Sequence, residues 1–167
     1  MSKPSYFRSV WNAIFPSRVV AVEPVQKKRA YLAAGFSGIR AHGLAEFQAL
    51  VPFASDKARQ GKGAAHDYAV NGLAVDVRTS GLHLLSVGSD ALSWTFSLTG
   101  AAQSCDFVCC ICMNKSNKVQ LILVIPVGAI TGLQTIGVPC EGRSRWKDYA
   151  ITPKALASHL NLRKQLF

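Results

Sequence analysis

Between Lys28 and Leu50 apolar residues recur at helical spacing. Tyr31, Leu32, Phe36, Ile39, Leu44, Phe47 and Leu50 form one stripe, which predicts a helix with a buried face. Gly35, Gly38 and Gly43 interrupt it, and glycine weakens a helix interior. Past Ala65 the apolar period falls from about 3.6 residues to about 2. Asp67 to Val70 and Leu73 to Thr79 alternate around Asn71-Gly72, a dipeptide that readily takes the two positive φ angles of a tight hairpin turn. Ala91 to Leu98, Cys105 to Met113 and Val119 to Ile125 predict three further strands, the last two joined by the polar turn Asn114 to Lys118. Helical spacing returns from Pro153 to about His159. The order helix, three strands, two strands, helix predicts a mixed α/β domain around one sheet of about five strands flanked by helices.

The first 27 residues differ from the rest. Their first acid is Glu23, and Phe7, Val10, Trp11, Ile14 and Phe15 fall at helical spacing before Pro16. Residues 1–27 are therefore expected to be a basic extension, with a short amphipathic helix over Ser5 to Phe15. Three uses stay open for it: a membrane-surface or protein-partner contact, a targeting peptide, or a helix packed on its own domain. Residues 28–167 are expected to fold as one domain.

Composition narrows the partners. Nineteen basic residues against nine acidic ones leave a formal charge of +10, which favours a polyanion, DNA or another nucleic acid before an anionic membrane face. No apolar run reaches the roughly 18–20 residues of a membrane helix; Val119 to Ile130 is too short and contains Pro126. Four of the five cysteines lie in the strand-like run Cys105 to Cys112. There a reduced thiol acts as a small hydrophobe, pointing to a reducing, cytoplasmic compartment. Cys109 and Cys112 make one CxxC without the second pair that zinc needs. His42, His66, His83 and His159 are scattered, and no GxSxG elbow or GxxxxGK[ST] phosphate loop occurs, which argues against triad hydrolases and P-loop enzymes.

The hairpin carries the chemistry. If Asn71-Gly72 is the whole loop, Val70 pairs with Leu73, and stepping outward sets Asp67 across from Asp76. Asp67, Ala69, Ala74, Asp76 and Arg78 then share one face, while Tyr68, Val70, Leu73, Val75 and Val77 face the core. Two carboxylates opposite each other repel, so a compensating cation is expected. Either a hard metal ion with oxygen ligands or Arg78 itself meets that need. Asp67, Asp76 and the Val77 carbonyl are the expected metal ligands, with Glu46 on the preceding helix as a third carboxylate. Lys57, Arg59 and Lys62, in the polar loop between Pro52 and Ala65, are the expected nucleic-acid contacts.

At His66-Asp67-Tyr-Ala-Val-Asn-Gly-Leu-Ala-Val-Asp76-Val77-Arg78 the chain resembles the PD-(D/E)xK nuclease superfamily, which has an acid on one strand and acid-x-Lys on the next. Trp94-Thr-Phe-Ser-Leu, Cys105-Asp-Phe-Val, Gln120 to Pro126 and Ser144-Arg-Trp-Lys-Asp-Tyr149 are similar to later elements of that family. The resemblance covers roughly residues 28–160. It implies a restriction-endonuclease-like fold and a magnesium- or manganese-dependent phosphodiesterase acting on DNA as endonuclease or exonuclease. Asp67, Asp76 and Arg78 would be the catalytic residues, and a homodimer would be needed to cut two strands. Two positions depart from the pattern: His66 replaces proline, and Arg78 replaces lysine. Arginine stays protonated and cannot act as a base, so a nuclease-fold protein that binds nucleic acid or a protein partner without cutting remains the alternative. Asp106, at a strand start, is expected to be structural.

Overall fold

The computed structural model describes Arg29 and residues 37–56, 66–86, 90–99 and 105–163, with backbone only at 162 and 163. The expected Ser5–Phe15 helix, most of the chain from 28 to 36, and Lys57, Arg59 and Lys62 lie outside them. Helix α1 spans Gly38–Leu50 and buries Ala41, Leu44, Ala45 and Phe47. Gly43, which looks like a weak point in the sequence, is where this helix meets the sheet. A Cβ added there would stand 1.9 Å from Thr79 Oγ1, so only glycine permits the approach.

Strands β1 (Tyr68–Val70) and β2 (Leu73–Gly81) form the expected hairpin. Asn71 and Gly72 take φ of 53° and 87°, and the register pairs Val70 with Leu73, Ala69 with Ala74 and Tyr68 with Val75. Strand β3 (His83–Leu84) and β4 (Leu92–Ser97) follow, then β5 (Phe107–Met113) and β6 (Val119–Pro126). Strands β7 (Thr135–Pro139) and β8 (Ala150–Ile151) precede helix α2 (Leu156–Arg163), which a single 3-10 turn at Pro153–Ala155 introduces.

Among the described residues the strands form two sheets, not the single sheet expected. Five lie in the order β1-β2-β5-β6-β8, and three in the order β3-β4-β7. Only β2 and β5 run parallel; the other neighbours are antiparallel. A parallel pair needs a long crossover, and here the crossover carries β3 and β4. Trp94 and Phe96 thus pair with Val138 and Ile136 of β7, outside the main sheet. Alternation alone cannot say which sheet a strand joins, and the five- and two-residue strands β7 and β8 carry too little pattern to be recognised.

Alternating side chains of the five-stranded sheet feed two cores. Tyr68, Val70, Val75, Val77, Cys109, Ile111, Ile122 and Val124 pack under α1 and α2 with Leu44, Phe47, Leu156 and Leu160. Val108, Cys110, Cys112, Leu123 and Ile125 pack against Trp94, Phe96, Ile136 and Val138 of the small sheet. Helices α1 and α2 therefore cover one face and the small sheet covers the other. Central strand β5 is buried at every position, which is why Cys109, Cys110 and Cys112 serve as hydrophobes and why Cys109 faces away from Cys112. Trp94 Nε1 donates to Met113 O at 2.9 Å, and Tyr68 Oη donates to Leu44 O at 2.9 Å. These bonds tie each layer to its neighbour. Among the described residues no helix is long and apolar enough to cross a membrane.

Candidate functional site

The hairpin ladder stops one step short of the aspartates. Asp67 precedes β1, and its N–H donates to Val75 O at 3.0 Å, the carbonyl of the residue that already faces Tyr68. Asp67 therefore doubles on Tyr68 opposite Val75, in the manner of a bulge. The expected direct pairing of Asp67 with Asp76 is not formed as a ladder pair. Instead Asp67 Oδ2 accepts the Val77 N–H at 2.8 Å, taking the position that another β1 residue would occupy. The two carboxyls still meet, because each is within reach of the other's charge and hydrogen bonding.

That arrangement has a geometric consequence. In an extended strand the N–H and C=O of one residue point to the same edge. The Val77 carbonyl therefore leaves β2 on the edge that the Asp67 carboxylate caps. The Asp67 carboxyl thus lies against both Asp76 and the Val77 amide. Both aspartates are only 4% exposed.

Two arginines attend the pair. Arg78 Nε donates to Asp76 Oδ2 at 2.6 Å, and Arg78 Nη2 to Thr99 O at 3.4 Å. Arg40 Nη2 lies 3.3 and 3.4 Å from the two oxygens of Asp67, a longer and weaker contact. Arg40 was not among the expected residues. It stands one turn before Gly43 on α1, and only the close crossing at Gly43 reveals that this face of the helix turns to β2. Burial pushes the Asp76 carboxyl up to about 6, Arg78 opposes the rise, and the neighbouring Asp67 adds to it. Burial therefore outweighs the bond to Arg78 at this carboxyl.

Glu46 is placed elsewhere. It faces His42 one turn back on α1 at 3.5 Å, and among the described residues no group of three His, Cys, Asp or Glu side chains could hold a metal ion. His66 is half-buried beside Asp67, and its Nδ1 is buried with no hydrogen-bond partner. Asp106 is structural as expected: its Oδ2 accepts the Ala74 N–H at 2.7 Å and its N–H donates to Ala74 O at 2.8 Å, fastening the starts of β2 and β5 together.

The residues present fit a hard cation in a minimal way. Magnesium binds through one or two carboxylates with water and substrate phosphate completing its shell, and here two buried carboxylates meet. The thiols do not contribute. Burial raises Cys105 to about 11 and Cys112 to about 12, and pushes Cys109 and Cys110 well above the ordinary thiol range. No protein-family model and no curated protein matches the chain.

Proposed function

We propose that this chain is a metal-dependent phosphodiesterase of the PD-(D/E)xK type, with a restriction-endonuclease-like arrangement of its main sheet, acting on DNA. The observation that carries the reading is the meeting of the buried Asp67 and Asp76 carboxyls at β2, with Asp67 capping the Val77 N–H. A buried carboxyl that stays protonated up to about pH 6 beside its own arginine gains more from a divalent cation than from further hydrogen bonds. Asp67, Asp76 and Val77 would hold magnesium or manganese, which when bound polarises a phosphate and lowers the pKa of water. The protein residues have their own tasks. Asp67 is oriented by the Val77 N–H, and Asp76 by Arg78. Arg78 cannot take a proton, so its guanidinium is assigned to the phosphate, where it stabilises developing charge.

A second reading has a specific observation behind it. With Arg78 on Asp76 and Arg40 on Asp67, the four charges balance without a cation, as in a nuclease-fold module that binds nucleic acid or a protein without cutting. One experiment separates the two. Linear, plasmid and branched DNA are incubated with wild type and with Asp76→Ala in magnesium or manganese, and manganese binding is followed by calorimetry. Cleavage and manganese binding that both vanish in Asp76→Ala support the phosphodiesterase. If no substrate is cut and the variant behaves as wild type, the phosphodiesterase reading is wrong and the binding module stands.

A further inference from the structure

A second basic feature lies away from the aspartates, on the connection between β7 and β8. Gly142, Arg143, Ser144, Arg145, Lys147 and Asp148 line an open surface cavity of about 590 Å³. Three cations against one carboxylate leave it positive. The connection is held in shape from within. Lys147 Nζ donates to Cys140 O at 3.1 Å and to Gly142 O at 2.8 Å. Ser144 Oγ accepts the Trp146 N–H at 3.3 Å and opens a 3-10 turn over Arg145–Tyr149. Trp146 is only 7% exposed and is embedded in the core beneath the small sheet.

The two arginines are left for solvent. Both are exposed, and among the described residues neither forms an ion pair. Arg145 lies with its guanidinium carbon 4.2 Å from the centre of the Trp146 ring. Stacking on a buried indole fixes the plane of the guanidinium while its N–H edge stays available. A planar fork held in place suits a phosphate oxygen pair, and Arg143, two residues before it, suits a neighbouring phosphate. A concave, rigid, positively charged surface that presents arginine forks fits the backbone of a nucleic acid better than a flat bilayer.

We propose that the Arg143–Asp148 cavity is a phosphate-backbone contact of this protein, remote from the aspartate pair, that grips nucleic acid without reading its sequence. Within the proposed function it names the substrate surface, yet it does not depend on cleavage. The test is fluorescence anisotropy of a labelled DNA duplex with the full-length protein across a salt series, without added metal. Arg143→Ala/Arg145→Ala removes two phosphate contacts. The slope of log affinity against log salt should become shallower by about 1.8, with a loss of roughly 60-fold at 0.1 M salt. Lys115→Ala/Lys118→Ala removes two exposed lysines from the β5–β6 turn and should change far less. Asp148→Asn should tighten binding.

Equal losses in the two double variants would mean generic charge and would overturn the proposal. So would an unchanged slope in the arginine pair, or stronger dependence on these arginines for vesicles containing phosphatidylserine than for DNA. Manganese binding at the aspartates should be the same in Arg143→Ala/Arg145→Ala as in wild type. Failure of the cleavage reading and failure of this one are therefore seen separately.

Discussion

Asp76→Asn separates a site kept for chemistry from a pair kept for structure. The carboxyl of Asp76 moves from 3.8 to about 6 on folding, chiefly through burial. The folded state thus holds this proton more tightly than the unfolded chain. Stability falls as pH rises from about 4 through about 6, and the full penalty is present above that. At about 1.4 kcal/mol per unit the penalty is about 3 kcal/mol at pH 7.5, and the side chain is buried enough that solvent screening does little to reduce it. Asparagine keeps the shape and the neutral state, and the ionised bond to Arg78 is already counted in the raised pKa. Asp76→Asn should therefore be more stable than wild type at pH 7.5 by roughly 2–3 kcal/mol, raising Tm by roughly 4–12 °C. At about pH 3.5 Asp76 is neutral in the folded chain and mostly neutral in the unfolded one, so the difference should close.

Urea unfolding at the two pH values, with calorimetric Tm alongside, measures both quantities. Manganese binding should be lost in the same variant. A variant that is less stable than wild type at pH 7.5 would refute the reasoning. It would show that the ionised Asp76–Arg78 pair is a net stabiliser, as a structural ion pair would be.

Three further outcomes follow from the packing. Gly43→Ala should lose about 1–2 kcal/mol in urea unfolding, because the overpacking against Thr79 outweighs the helix-propensity gain of about 1 kcal/mol; a gain in stability would mean that α1 does not cross β2 there. Tyr68→Phe, which leaves the Leu44 carbonyl without its hydroxyl partner, should cost about 1 kcal/mol by the same measurement. In native protein at pH 8 an aromatic disulfide reagent should label Cys140, the one cysteine that is not buried, well before the other four. Those should react only on unfolding, and rapid labelling of all five would contradict the buried, high-pKa thiols.

Much of the fold was legible because it is written in local terms. Asn71-Gly72 specifies a turn with two positive φ angles, and that turn sets the register from Val70–Leu73 to Tyr68–Val75. The alternation of Tyr68, Val70, Val75 and Val77 names the face that meets α1. The helix around Leu44 and Phe47, and the strands at Cys105 and Val119, follow from period alone. The nearness of Asp67, Asp76 and Arg78 is legible the same way, from spacing within one hairpin.

What the chain could not declare locally belongs to contacts between distant segments. Which sheet β4 joins depends on β7, some forty residues later, and nothing within Leu92–Ser97 encodes that choice. Gly43 reads as a helix defect until Thr79 stands against it. Arg40 enters the site, and Glu46 turns to His42, because of how α1 is rotated upon the sheet. Periodicity specifies a buried face but not the partner that covers it. The aspartates show the same division: their proximity was encoded by the turn, whereas the bulge that carries Asp67 to the Val77 amide is decided by backbone hydrogen bonds. The high carboxyl pKa of Asp76 comes from burial, and only the folded chain supplies burial.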